Sequence, residues 1–395
     1  MKSFGKYRLG SVVALAATVT LLAACSSSTE TSGSDASATL SPATPAVPSS
    51  SPSDPSGALA DCISTASASA DAGTAAVPLK APSTTADSAA LEGKKTSLVI
   101  VIDNPFIRAV ADGFQAGAKA LGMEPSVFDA KAQVPLMNQG VEQAVTQGAS
   151  GIALLAIPAA LVEKPLADAV KAGITVVDNF NGSPSAPLPE GVTAHVTADF
   201  IRSGAMMVDW ILKDSQCTAN VGVLFSQNIP AAIDLRDGAV AELERLCPTC
   251  ESSVVEFDTG NVATDLPQKV QTMLTANPNM NYIFVFNDSS VPFIDSALAQ
   301  AGRSDVKIVS HDGVQENLDA MKAGTTSQVL NVAFPPNEWV GWALVDQLAR
   351  GILGEPAPDW TIPVRLVDAS NIAEEQLFPE YTGFEDVFKS GWSGP

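Results

Sequence analysis

From residue 96 onward the chain alternates short, near-continuous apolar runs with stretches whose apolar positions recur every three or four residues. Runs at 98–102, 126–129, 151–157, 175–178, 194–197, 221–226, 254–257, 282–286, 307–310 and 327–332 are mostly Val, Ile, Leu and Phe. That is the pattern of parallel strands buried on both faces. Between them, 106–121, 136–147, 161–172, 200–213, 233–246, 266–275, 291–301 and 314–323 read as amphipathic helices. Gly122, Gly148, Gly173, Gly302 and Gly324 follow helix texts, where a left-handed residue closes a helix. The alternation predicts an α/β fold of doubly wound parallel sheets with right-handed crossovers. Ten predicted strands are too many for one compact unit, and two similar lobes meeting near Asp199 are the natural division.

The first 60 residues follow other rules. A basic start (Lys2, Lys6, Arg8) precedes an apolar run over 11–24, shorter than the roughly 20 residues a membrane span takes and suited to an export signal. The run ends Leu22-Ala23-Ala24-Cys25, which resembles a bacterial lipobox, so Cys25 is read as the lipid anchor and 1–24 as a lipoprotein signal peptide. Residues 25–60 are almost wholly Ser, Thr, Ala, Pro, Gly and Asp, a composition that cannot bury enough surface to offset ordering entropy, and read as a flexible tether. Residues 61–96 are expected to form a strap along the first lobe.

Composition narrows the chemistry. The 395 residues carry 43 Asp and Glu against 22 Lys and Arg, a formal charge of −21, which disfavours nucleic acid and anionic lipid surfaces as partners. Two histidines, His195 and His311, stand far apart, and no Cys, His, Asp or Glu group has metal-ligand spacing, so neither metal nor cofactor is expected. Both histidines are read as structural or at a ligand rim. No phosphate loop, nucleophile elbow or dinucleotide fingerprint occurs, and an enzyme is not expected.

Ligands of such sheets bind beyond the carboxyl ends of the strands. There the sequence places Asp103-Asn104-Pro105-Phe106, Asp178-Asn179-Phe180, Asn287-Asp288 and His311-Asp312-Gly313. Short carboxylates and carboxamides pair with neighbouring hydroxyls, and an aromatic face covers the C–H side of a sugar ring, so a small polyhydroxylated ligand is the best chemical match.

These residues resemble the type I periplasmic solute-binding proteins of sugar ABC transporters, in their ribose-binding-protein-like lipoprotein form. The resemblance covers about 98–353. It rests on Asn104-Pro105-Phe106 leading into Ala111-Asp112-Gly113, on the run from Ala172 to Asp178, on the segment from Asp199 to Gly204, on Phe286-Asn287-Asp288, and on His311-Asp312-Gly313 leading into Met321-Lys322-Ala323-Gly324. It implies two lobes joined by a multi-strand hinge, with crossings at Asp199 and near Ala333 and Glu355. The first lobe would be 97–198 plus about 333–355, and the second 199–332 plus about 356–395. At the matching positions Asn104, Phe106 and Asp178 would meet the ligand from the first lobe and Asn287 and Asp312 from the second; their place at strand ends adds Asp103 and Asn179, and the departures from the family pattern add Phe334, with Trp339 as a further candidate, as ring surface. A monomeric extracytoplasmic receptor for an ABC permease is implied, touching the membrane only through its anchor; a sensor for a membrane kinase, or a binder of a non-sugar molecule, would use the same fold. The chain departs from the pattern where Ile107 replaces a second aromatic, where Asn179 replaces an arginine, and where Arg236 falls off register, which makes the pocket less basic and more apolar.

Four further cysteines, Cys62, Cys217, Cys247 and Cys250, suggest two disulfides in an exported protein. Cys217 and the Cys247–Cys250 segment close successive predicted helices, so Cys217 is expected to join Cys247 or Cys250, with the remaining one holding the strap at Cys62. A Cys-x-x-Cys redox centre is disfavoured because the motif ends a helix instead of opening one.

Overall fold

A computed structural model describes residues 55–81, 88–356 and 360–393; the export signal, Cys25 and the tether up to residue 54 lie outside the described residues. The strands are β1 (Lys95–Ile100), β2 (Glu124–Asp129), β3 (Gly151–Leu155), β4 (Thr175–Asn179), β5 (Ala194–Thr197), β6 (Asn220–Phe225), β7 (Glu251–Glu256), β8 (Tyr282–Val285), β9 (Lys307–Asp312), β10 (Gln328–Ala333), β11 (Trp360–Thr361) and β12 (Arg365–Val367). The helices are α1 (Pro55–Gly73), α2 (Pro105–Ala120), α3 (Val134–Thr146), α4 (Glu163–Lys171), α5 (Phe200–Ser215), α6 (Pro230–Leu246), α7 (Val262–Ala276), α8 (Val291–Ala301), α9 (Gln315–Ala323), α10 (Asn337–Leu353) and α11 (Phe384–Ser393).

Two six-stranded sheets result, ordered β11-β5-β4-β3-β1-β2 and β12-β10-β9-β8-β6-β7. Every pairing is parallel except β12, which runs antiparallel to β10. The doubly wound α/β lobes expected from the alternation are therefore present. Their central strands β3, β4, β6 and β8 are buried throughout, whereas the edge strands β2 and β7 contain no fully buried residue.

In each lobe, one helix pair crosses on glycine. A Cβ at Gly113 of α2 would stand 2.0 Å from the Glu338 carbonyl oxygen of α10, and one at Gly238 of α6 would stand 1.9 Å from the Ile201 carbonyl oxygen of α5. Only a residue without a side chain allows this approach. The two crossings hold the N-termini of α2 and α6 at the mouth between the lobes.

The chain leaves the first sheet after β5, returns after β10 into α10, passes through β11 to β12, and comes back a final time into α11. The C-terminal part, expected wholly in the second lobe, is thus divided. Phe388 and Trp392 of α11 pack on Trp342 of α10, Trp392 stacking on it at 5.3 Å, and the indoles of Trp360 and Trp392 both donate to the buried Asp346 carboxylate at 2.9 Å. Trp339 lies fully buried in this same cluster, between Trp360, Tyr381 and Phe388, and so is no part of a ligand pocket.

The strap also differs from expectation. Helix starts at Pro55, inside the span read as tether, and α1 packs on α5 of the second lobe. Cys62, Ala66 and Ala70, one turn apart, form its buried stripe. Asp71 pairs with Lys213 at 2.5 Å, and the Cys62 and Cys217 sulfurs lie 1.96 Å apart. Cys217 therefore faces the strap instead of the next helix, and Cys247 lies with Cys250, their sulfurs 2.10 Å apart. Beyond α1 the strap crosses the hinge: Arg365 Nε donates to the Thr74 carbonyl at 2.8 Å, Tyr381 donates to that of Pro78 at 3.1 Å, and Leu91 is buried against the first lobe.

Candidate functional site between the lobes

A cavity of about 320 Å³ opens between the lobes at the carboxyl ends of the strands. The first lobe lines it with residues 101–108, Ala156 and Phe180; the second with Ile229, Ala231, Leu235, Thr259, Val262, Phe286, Asn287, Ser289, Ser290, Phe293 and Asp312; Phe200 and Phe334 come from hinge segments. A larger hollow of about 600 Å³ shares Pro105 and Phe334 with it, but α9, the 334–338 crossing and the C-terminal segment form it, away from most of the strand ends.

Six of the residues expected to meet a ligand line this cavity together: Asp103, Asn104, Phe106, Asn287, Asp312 and Phe334. Three of these, Asp103, Asn104 and Asp312, already have polar partners. Asn104 caps α2, its Oδ1 accepting from the Ile107 N–H at 2.9 Å, and the exposed Asp103 pairs with Arg108 at 2.7 Å. Asn287 Oδ1 and Ser289 Oγ, by contrast, are buried without a hydrogen-bond partner.

Asp178 and Asn179 do not reach the cavity. Sheet register explains why: Leu155 pairs with Asn179, and β3 enters the cavity one residue later at Ala156, so on β4 the equivalent position is Phe180. Asp178 is buried within the strand, both carboxylate oxygens unpartnered and His195 Nδ1 3.9 Å away, and burial pushes its carboxyl up to about 7. The Asn179 amide donates to the Val196 carbonyl of the neighbouring strand. His195 itself lies 3.3 Å from the Pro184 carbonyl and makes no part of the cavity wall.

Phe180 and Phe200 were not legible as site residues, yet they complete a box of rings at the hinge. Phe180 stacks on Phe334 at 5.3 Å, both lie within 5.7 Å of Phe106, and Phe200 meets Phe180 edge-on at 5.6 Å. The His311 ring stands edge-on to Phe334 at 4.6 Å, and burial drives its pKa down to about 3, so it is a neutral ring of this box. Three of the seven non-glycine residues with positive φ among the described residues stand at the same place, Ala156, Phe180 and Asp312, at 54°, 61° and 127°.

On the second lobe, Asp288 holds the strand ends in position. Its carboxylate accepts from Asn331 Nδ2 at 2.8 Å, from the Val314 N–H at 2.8 Å and from Ser310 Oγ. Asp312, whose Oδ2 receives the Asp288 N–H at 3.4 Å, turns toward the cavity, and burial pushes its carboxyl well above the usual range. Arg236 is turned aside, its guanidinium 4.4 Å over the Phe225 ring and paired with Asp237 at 2.6 Å. Among the described residues no group of three or more His, Cys, Asp and Glu side chains could hold a metal ion, and no helix is long and apolar enough to cross a membrane.

The family model described as the periplasmic binding protein domain matches residues 98–356. The chain belongs to this family of extracytoplasmic binding proteins. Among curated relatives, the xylitol-binding protein of Mycolicibacterium smegmatis is 24% identical over 307 residues, covering 76% of this chain and 85% of its own length. The ribose import binding protein of Salmonella typhimurium is 25% identical over 247 residues, covering 61% and 80%. Among solved structures, an ABC transporter solute-binding protein from Agrobacterium vitis with bound allitol superposes with a TM-score of 0.64 at 21% identity, covering 72% of this chain and 98% of that one. In this periplasmic binding protein the cavity lies where the two sheets point their carboxyl ends at each other. Asp199 caps α5 at the first crossing, accepting from the Arg202 N–H at 2.9 Å.

Proposed function

We propose that the protein is a lipid-anchored, extracytoplasmic solute-binding protein that captures a small polyhydroxylated ligand by hinge closure and delivers it to an ABC importer. The observation that carries this is the convergence of Asn287, Ser289 and Asp312 from one lobe and Asp103, Asn104 and Phe106 from the other on one cavity at the hinge. Asn287 Oδ1 and Ser289 Oγ lack protein partners and would meet ligand hydroxyls, while the faces of Phe106, Phe180 and Phe334 would cover the C–H side of the ligand. The names of the relatives, a xylitol-binding and a ribose import binding protein, point to the same ligand class.

Opening separates the two sets of groups and closing brings them together, so the ligand stabilises the closed form by its differential contacts, and a permease reads that form. In this reading no bond is made or broken and the protein is not an enzyme. Cys25 carries the acyl anchor, Cys62–Cys217 and Cys247–Cys250 are disulfides of an oxidising compartment, and the receptor works as a monomer. The test is titration of the purified protein with D-ribose, xylitol and allitol, followed by melting temperature. A ligand at 100 times its Kd adds about 2.7 kcal/mol of stability, a displacement of several degrees; no shift with any sugar or polyol, and a shift with an amino acid, refutes the ligand class.

A further inference from the structure

We infer that the ligand is amphiphilic: a pentose- or pentitol-sized head substituted at one end by an alkyl or aryl group. This rests on the reading of the interlobe cavity as a sugar-type site. The buried polar atoms of the wall without protein partners lie in one strip, Asn287 Oδ1 and Ser289 Oγ beside the Asp312 carboxyl, and the one hydroxyl near the opposite strip is that of Thr259. A second strip on the same lobe is apolar. Ile229, Val262 and Phe293 stand at the starts of α6, α7 and α8, are only half-buried, and pack on the core while facing the cavity. Ile229 is the N-cap of α6 and makes no side-chain cap, at a position where Ser, Thr, Asp or Asn would satisfy a free N–H.

Both guanidiniums near the site are engaged, Arg236 with Phe225 and Asp237, and Arg108 with Asp103. A fully hydroxylated sugar closed into this cavity would turn hydroxyls toward Ile229, Val262 and Phe293, where nothing on those side chains can pair with them. An unpaired buried hydroxyl is costly, whereas an apolar substituent on that shelf gains by leaving water. The volume, about 320 Å³, is at the lower end of the roughly 300–1,000 Å³ of small-molecule sites and suits a monosaccharide-sized head with one short substituent.

The experiment is calorimetric titration of the purified protein with D-ribose, xylitol, 5-deoxy-D-ribose, methyl β-D-ribofuranoside and phenyl β-D-ribofuranoside. At least one of the three less polar sugars is expected to bind about ten-fold more tightly than ribose or more. In Phe293→Asn and in the shape-conserving Val262→Thr, the ratio of the less polar sugar's affinity to that of ribose falls by about three-fold or more, with melting temperature reporting the fold. Ribose or xylitol binding as tightly as every less polar sugar overturns the inference and leaves the sugar-receptor reading standing. An advantage unchanged in both variants overturns it too, because the shelf is then not its source. Failure of all five compounds to bind overturns both readings.

Discussion

Asp178→Asn isolates the cost of a buried, unpaired carboxyl. Asp178 sits inside β4 with both oxygens unpartnered, and burial lifts its pKa from the ordinary 3.8 to about 7. Below pH 3.8 native and unfolded chains are both protonated here and the site costs nothing. As pH rises from 4 to 7 the unfolded chain releases this proton while the native protein retains it, so stability falls; above 7 the full penalty applies. At about 1.4 kcal/mol per pH unit, the displacement from 3.8 to about 7 corresponds to on the order of 4 kcal/mol at pH 8 and roughly half of that at pH 5.5. Asparagine has the same shape and no charge, so the variant should be more stable than the parent at both pH values, and its advantage should grow by about 2 kcal/mol from pH 5.5 to 8. Urea unfolding at the two pH values measures this, both being above the acid range where so acidic a chain loses solubility. A stability difference that does not change with pH refutes the reasoning. Because Asp178 does not line the cavity, ligand affinity at pH 5.5 should be unchanged; a ten-fold loss there would instead make Asp178 a ligand contact.

Other perturbations separate the remaining claims. Cys62→Ser with Cys217→Ser opens a link spanning 155 residues and should cost about 5 kcal/mol by loop entropy, whereas Cys247→Ser with Cys250→Ser, spanning 3, should cost about 2 kcal/mol, read from denaturant midpoints. Gly238→Ala drives a methyl group against the Ile201 carbonyl and should lose about 1 to 3 kcal/mol or more, while Gly302→Ala, with open space but φ of 66°, should lose about 1 kcal/mol; equal losses would discount the glycine crossing. Asn287→Ala and Asp312→Asn should each weaken ligand binding by about 1 to 3 kcal/mol with the fold retained, and unchanged affinity in both would remove the cavity as the site. Cys25→Ala should release the protein from the membrane fraction, and continued retention would count against acylation.

What could be read ahead of the structure follows from which signals are local. Ten strands were legible because each central run is apolar on both faces, but β11 and β12, of two and three residues, are too short to carry a period. They are also the strands by which the C-terminal part divides between the lobes. The stripe Cys62, Ala66, Ala70 announces a helix, yet alanine packs equally well on either lobe, and it is the partners on and after α5, Cys217 for Cys62, Lys213 for Asp71 and Asp209 for Ser69, that hold α1 on the second.

At the cavity the limit was register. Asp178 and Phe180 are two residues apart and point to the same side of a strand, so a pattern argument favours the carboxylate as the ligand group. Pairing with β3 and β5 carries β4 through Asn179, and the strand ends only where Phe180 takes a positive φ. The same reversal of expectation holds for Ala156 and Asp312, two more non-glycine residues with positive φ on the cavity wall, and for Ile229, an apolar residue at a helix cap. Positive φ also occurs at Lys131, Ala132, Gln216 and Cys217, and uncapped apolar N-caps at Val162 and Val314, but Ala156, Phe180, Asp312 and Ile229 all face one cavity. Strain and unpaired groups persist only where surrounding structure over-determines them, and here the surroundings are two glycine-locked helix crossings and the Asp288 network. The scaffold was legible because its central strands and amphipathic helices carry strong periods, and the ligand seat was only partly legible because Ala156, Phe180, Asp312 and Ile229 depart from the local rules.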